Sequence, residues 1–483
     1  MYGDLLKGLP TDLWIGGSWR PASDQARFDV LDPATEKAVA SVASASESDA
    51  AAALDAAAAS FADWAARKPR ERAEVLRKAF ELMTRDAERL ARIITVENGK
   101  PLADSRAEVA YAAEFFRWYA EEAVRNIGNV SRAPSSGARI VVHHKPAGIA
   151  VLVTPWNFPA AMATRKIGPA LAAGCPVVLK PASETPLTML ALMPLLEAAG
   201  VPPGVVNVLP SRRSGPVVGR MLKDPRTRVV SFTGSTEVGR MLLTQAAANI
   251  LKPAMELGGN APFIVFEDAD IEAAVAGAMV AKMRNMGEAC TAANRFYVHE
   301  AVRAQFAARL TEEMATLKAG HGLDEGVTLG PLVNKDGRDK VVELVVDAVR
   351  RGARVLTGGK APQGTGFFYP ATVIDNVPDD ALMMREEIFG PVAAIQSFTD
   401  EADVIAKANG TEYGLVAYVY TRDLARGLRI SEQLDFGMVG LNRGLVSDPA
   451  APFGGMKQSG LGREGAHDGL MEFLETQYIS AEW

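Results

Sequence analysis

Cysteine is nearly missing from this chain of 483 residues: there are two, Cys175 and Cys290. That excludes a disulfide framework and a structural zinc site of three or four thiolates. The five histidines, at 143, 144, 299, 321 and 467, show no metal-ligand spacing such as HExxH, so no metal is expected. No apolar run reaches the roughly 18 residues that a membrane-spanning helix needs. Lys/Arg tracts are absent, and 52 basic against 58 acidic residues leave a net charge of −6. Such a balance suits neither nucleic acid nor an anionic membrane surface. The opening MYGDLLKGLPTDLWIGG lacks a basic start followed by an apolar core. No signal peptide is therefore expected, and a reducing cytoplasm is the natural location.

What the chain does have is an ordinary globular balance, 48% hydrophobic and 23% charged. Its length suggests roughly three domains or lobes at ~100–200 residues each. The segment 46–66 opens on Ser and acidic residues and continues in strong helix formers, which predicts a helix. Further helices are expected at about 71–97 and 103–124, and 138–154 divides into two β runs around Pro146-Ala147-Gly148. From residue 148 short apolar strands alternate with helices. The strands are 148–154, 175–180, 205–209, 229–233 and 262–266; the helices are 160–173, 185–199, 214–222, 236–247 and 270–285. That alternation predicts a parallel sheet covered on both faces. Ligands of such sheets bind at the carboxyl ends of the strands, so the loops after 154, 180, 209 and 233 are the first place to search. A second alternating block from about 300 to 441 has strands near 353–357, 392–398, 415–420 and 437–441. The tail 475–483 resembles a strand that can pair with 138–144.

Several segments carry possible chemistry. The one GxGxxG, Gly460 to Gly465, follows a turn rather than a strand and precedes no βαβ unit, so it reads as a loop. FTGSTEVG (232–239) follows a strand and opens a helix. Gly234 permits close backbone approach and Ser235 offers a hydroxyl to an anion, although a plain N-cap explains the same residues. Lys180 ends a strand in KPASETP (180–186), where it is either a counter-charge for an anion or a solvated lysine. Cys175 in AAGCPVVLK fits an inert small hydrophobe. Cys290, in RNMGEACTA, has Gly, Glu and Thr as neighbours and lies just past a predicted helix, which suits either a nucleophile or a structural cysteine. Glu256 before a double glycine is a general base or a structural acid. The stiff PWNFP (155–159) can hold the Asn157 amide as a donor for an oxyanion. Glu387 and Phe389 in EEIFGP are either ribose contacts or a helix end.

Together these segments resemble the aldehyde dehydrogenase superfamily over nearly the whole chain. PWNFP, KPASETP, FTGSTEVG, ELGGNAP, a Gly-x-x-Cys segment, EEIFGP and PFGGMKQSGLGREG follow the family order. Asn157 and Cys290 are 133 residues apart, Glu256 and Cys290 34, and Cys290 and Glu387 97, separations similar to the family's own. The resemblance implies an α/β fold with two parallel-sheet lobes and a small β oligomerisation arm. A Rossmann-like dinucleotide domain would comprise 1–125 and 147–256, the catalytic domain 257–440, and the arm with the C-terminal segment 126–146 and 441–483. It implies Cys290 as nucleophile, Asn157 and the Cys290 N–H as oxyanion donors, and Glu256 as the base for the hydrolytic water. The same resemblance assigns Thr154, Trp156, Lys180, Ser183, Gly234, Ser235, Leu257, Glu387 and Phe389 to a nicotinamide cofactor. A homodimer or homotetramer is expected.

Ser183 stands where NAD-preferring members carry a Glu that binds the ribose 2′-hydroxyl. A small neutral residue beside Lys180 predicts NADP, with NAD as the alternative. The motifs MATRK, KMRN and GLVSD place Arg165, Arg284 and Ser447 as in the bacterial succinate-semialdehyde branch, where they hold the substrate's distal carboxylate. Surface arginines paired with acids are the plainer explanation of the same residues. Glutaric semialdehyde, one methylene longer, is the nearest rival substrate, and a broad-specificity aldehyde dehydrogenase comes next. Glu256 argues against a CoA-acylating relative, and the joint presence of Asn157, Glu256 and Cys290 against a non-catalytic protein. Two departures stand out: Glu288 occupies the place of a common Gln, and Ala292 that of a second cysteine in some relatives.

Overall fold

The computed structural model describes residues 2–483. Among these, four sheets organise the chain. In the first, parallel strands Lys252–Glu256, Thr227–Thr233, Ile149–Val153, Val177–Lys180 and Val206–Val208 lie side by side. The hairpin Leu13–Ile15/Ser18–Arg20 closes one edge and the short Gly460–Leu461 the other. The second sheet holds seven strands between Ala261 and Leu441. Its central strands, Ala261–Val265, Ala293–His299 and Val416–Tyr420, are parallel and almost wholly buried. Continuous burial is what a sheet covered by helices on both faces demands.

The helices that cover these sheets follow local sequence signals. Glu47–Ala66 starts at Ser46, whose hydroxyl accepts from the Asp49 N–H while Asp49 accepts from the Ser46 N–H, a reciprocal cap. The single helix expected at 71–97 is two, Pro69–Arg85 and Ala87–Asn98, because Asp86 leaves the helical region (φ −95°, ψ 14°). Its carboxylate takes Arg89 instead. The strands around the N-terminal hairpins, Lys252–Glu256 and Ala293–His299 are not apparent in the periodicity. Pro253 masks Lys252–Glu256, and proline is confined to places such as the outermost full-length strand of this sheet.

Asn129–Arg132, Arg139–Pro146 and Leu474–Ala481 form a separate antiparallel sheet. It carries exposed Val130, Tyr478 and Ile479, with Trp483 beyond its end. The GxGxxG segment contributes an edge strand and then turns Glu464 inward, so it does not cradle a dinucleotide.

Candidate active site

The carboxyl ends of the first sheet's strands converge on one cavity of about 260 Å³. Trp156, Asn157, Gly234, Ser235 and Leu257 come to it from the first sheet's loops; Cys290, Glu387 and Phe389 come from the other lobe. Ser235 both caps its helix, accepting from the Val238 N–H at 3.4 Å, and lines this cavity. Trp156 and Phe389 meet edge to face with centroids 5.4 Å apart. Phe389 does so from a left-handed backbone (φ 53°), a strained conformation that such sites tolerate.

Cys290 is brought here by an abrupt redirection of the chain. The helix Ile271–Met283 ends, and Asn285, Met286 and Gly287 all take positive φ (52°, 54° and 78°). Asn285 pins the turn: its N–H donates to Asp104, and its amide donates to the carbonyls of Asn157 and Glu288, each at 2.9 Å. Gly287 admits no side chain, since a Cβ there would sit 2.2 Å from the Gly390 oxygen. Asn157 is locked by the same contacts. Its carbonyl also accepts from Lys100 Nζ at 2.6 Å, and its Nδ2 donates to the Glu288 carbonyl at 3.0 Å. Among the described residues Nδ2 makes no second hydrogen bond, and Asn157 lines the cavity.

The acids around the thiol are stripped of water. Burial pushes the Cys290 thiol up to about 12, with Arg165 opposing and Glu256 and Glu387 adding to the rise. Glu256 is buried with both carboxyl oxygens unpartnered, and burial, reinforced by Glu464, holds it well above the usual carboxylate range. Glu464 has the opposite fate. Burial alone would raise it, but Arg165 and Lys166, both in contact with its carboxylate, hold it low. Within this pair, then, two cations favour the charged form of Glu464, whereas burial and the Glu464 charge disfavour that of Glu256. Burial also raises Glu387 to about 7, although the Gly259 N–H donates to it at 3.2 Å. Glu288 is likewise raised well above its usual range; one oxygen accepts from the Val333 N–H at 3.0 Å and the other has no partner. Cys175 is fully buried, donates to the Phe473 carbonyl at 3.2 Å and is pushed up to about 11, in keeping with an inert residue.

Across the Asn157–Phe158 step lies a second cavity of about 470 Å³. Arg284, Ser447, Tyr111 and Phe158 line it. The Arg284 guanidinium lies 4.7 Å from the Phe158 ring centroid and 5.8 Å from that of Tyr111, and makes no salt bridge among the described residues. The buried Tyr111 hydroxyl lies close to Arg165 and Ser447 and makes no well-formed hydrogen bond among the described residues. Arg165 lines neither cavity. It is fully buried, contacts Glu464 through Nε, donates to Met162 Sδ at 3.2 Å and lies over Phe453 at 4.2 Å.

The remaining expected cofactor residues lie nearby. Thr154 is buried at the end of Ile149–Val153, and its N–H donates to the Lys180 carbonyl. Lys180 is buried, lowered to about 8 by desolvation, and its ammonium has no partner among the described residues. Ser183 lines a third cavity and donates to Glu184 at 3.1 Å. Reasoning from sequence missed Tyr111, Asn285 and Glu464. Glu464 sits in the discarded GxGxxG, where its acidity is the one available signal; nothing in the local sequence marks Tyr111.

The chain belongs to the aldehyde dehydrogenase family, whose profile matches residues 19–479. It is 54% identical to a succinate-semialdehyde dehydrogenase of Paenarthrobacter nicotinovorans over 441 residues, 91% of this chain and 98% of that one. It is 47% identical to a glutarate-semialdehyde dehydrogenase of Pseudomonas aeruginosa, covering 96% of each. A crystal structure of an NADP-dependent enzyme of E. coli superposes with a TM-score of 0.97 at 47% identity, covering 100% of this chain and 99% of that one.

Proposed function

We propose that this protein oxidises succinic semialdehyde to succinate, using a nicotinamide dinucleotide and preferring NADP. Asn157 and Cys290 face one cavity, and Glu256 is close enough for its charge to raise the thiol. Cys290 Sγ, its proton given to water, attacks the aldehyde carbon, and the Asn157 amide with the Cys290 N–H receives the negatively charged oxygen of the thiohemiacetal. The cofactor's residues fit it: an unpartnered Lys180 ammonium, Gly234 and Ser235 at a helix start, and the Trp156–Phe389 wall. When bound there, the nicotinamide supplies the hydride acceptor that leaves a thioester on Cys290. Glu256, once it has lost its proton, takes one from the water that cleaves this thioester.

The substrate assignment rests on one observation: in the cavity beside the nucleophile the Arg284 guanidinium makes no salt bridge among the described residues, although Asp104 is near enough to feel its charge. Arg284 together with the Ser447 and Tyr111 hydroxyls offers donors that await an acceptor, which a distal carboxylate supplies. Arg165 adds positive potential at Cys290. The relative from Paenarthrobacter supports the four-carbon substrate; the one from Pseudomonas keeps glutaric semialdehyde as the second reading, since one methylene is worth only about 1–3 kcal/mol. The test is kcat/KM for succinic semialdehyde against butyraldehyde, which differs in the terminal carboxylate. The expected preference is about a hundredfold, two charge-assisted contacts at the lower end of their range. Near-equal values would reduce the assignment to a general aldehyde dehydrogenase. The antiparallel sheet bearing exposed Val130, Tyr478 and Ile479 supports a homodimer or homotetramer.

A further inference from the structure

The cavity of about 290 Å³ that holds Ser183 also holds Glu184, Arg212, Lys335, Asp29 and Asp336. It adjoins the nucleophile's cavity. The first turn of the helix Lys335–Arg350 starts in one, with Lys335 and Asp336, and continues into the other, with Gly337 and Lys340. The Thr185 hydroxyl, next to Glu184, donates to the Trp156 carbonyl at 3.3 Å. Any dinucleotide running from Cys290 past Lys180 to Ser183 therefore meets this cavity.

Its charges are unevenly committed. Lys335 pairs with Asp339, and Arg213, next to Arg212, pairs with Asp24 at 2.7 Å. Arg212 is exposed and forms no salt bridge among the described residues. Glu184 accepts the Ser183 hydroxyl, so the carboxylate absent at 183 is restored one residue along. Asp29 and Asp336 add two more negative charges.

We propose that Arg212 and Glu184 are an opposed pair that sets the choice of cofactor. Arg212 supplies the counter-charge for a ribose 2′-phosphate. Glu184 opposes that phosphate and offers an acceptor to a bare 2′-hydroxyl. This deepens the proposed NADP preference and rests on it: Ser183 removes the steric and electrostatic block, Arg212 supplies the attraction, and Glu184 keeps NAD usable. A guanidinium at this exposed position stacks loosely near Phe28, 5.9 Å from its centroid, and is free to swing onto a phosphate.

The test uses binding alone, by calorimetry on the intact protein, with adenosine 2′,5′-bisphosphate against adenosine 5′-monophosphate. The wild type is expected to favour the bisphosphate. Arg212→Ala should lower that ratio about tenfold, the lower end for a charge-assisted contact, and leave the monophosphate unchanged. Glu184→Gln should raise the ratio severalfold. An unchanged ratio in Arg212→Ala overturns the proposal while leaving the NADP preference standing. Equal loss of both ligands overturns it too, because that marks a structural role. No preference in the wild type removes the NADP reading itself.

Discussion

The two cavities that meet at Asn157–Phe158 are built on opposite electrostatic plans. Around Cys290 desolvation pushes the ionisable groups upward: Glu256 and Glu288 well above the usual carboxylate range, Glu387 up to about 7, the thiol up to about 12. In the second cavity the Arg284 guanidinium packs on Phe158 and makes no salt bridge among the described residues. Of the two acids on that wall, Glu108 pairs with Lys100 at 2.6 Å, and Asp104 accepts from the Asn285 N–H while feeling the charges of Lys100 and Arg284. On the proposed reading, protons move in the first cavity and the Arg284 charge selects in the second. Chemistry and selectivity should therefore separate by mutation.

The largest expected effect belongs to the first cavity. Asn157→Ala should lower kcat by about 10²- to 10³-fold, as loss of one oxyanion donor does, for charged and neutral aldehydes alike. A loss confined to semialdehydes would place Asn157 on the wrong side of the comparison. Arg284→Ala should cost about tenfold to a hundredfold in kcat/KM for succinic semialdehyde and leave butyraldehyde nearly untouched. Equal losses on both would mean that Arg284 serves the fold rather than the substrate.

The two arginines, equivalent by motif, should also part company. Arg284 has no acid partner, whereas Arg165 shares Glu464 with Lys166 in a fully buried cluster. Arg165→Ala should destabilise the protein by about 3 kcal/mol, the penalty of breaking a buried ion pair. It should also slow turnover of neutral aldehydes, because the Arg165 charge lowers the Cys290 thiol. Thermal unfolding of both variants checks this; an unfolding midpoint unchanged in Arg165→Ala would contradict the role of Glu464 as its counter-charge.

That difference marks how far the sequence could be read. The alternation from Ile149 to Leu441 shows in apolar runs because buried parallel strands have no polar face to hide them. Cys290, Asn157 and Glu256 are legible as motifs; Asn157 and Cys290 line one cavity, and Glu256, buried beside it, is near enough to act on the thiol. The environment of Arg165 was not legible, because its partner Glu464 lies 299 residues away in a segment of the wrong context for a dinucleotide. Lys252–Glu256 was hidden by Pro253, and the one helix expected at 71–97 by the single residue Asp86. Tyr111 sits in an ordinary amphipathic helix, and only tertiary packing brings its ring beneath Arg284.

The one effect that is absent near pH 4.5 and grows with pH concerns Glu288, the departure from the common Gln, and it sharpens the first half of the comparison. Its carboxyl is buried, half satisfied by Val333, and raised by desolvation. Below the unfolded pKa of about 4.3 both states hold the proton, and the raised folded pKa contributes its full stability. Above that value the unfolded chain releases the proton while the folded one retains it, so stability falls until the folded pKa is passed. The slope for one proton is about 1.4 kcal/mol per pH unit. Glu288→Gln keeps an acceptor for the Val333 N–H and has no proton to lose. The variant and wild type should therefore unfold at similar temperatures near pH 4.5, and the variant should pull ahead as pH rises to 8. Subtracting the two curves cancels Glu256, which titrates in both. A gap that stays constant with pH would mean that Glu288 is ionised in the folded protein, and the nucleophile's cavity would then hold a charge that its burial does not support.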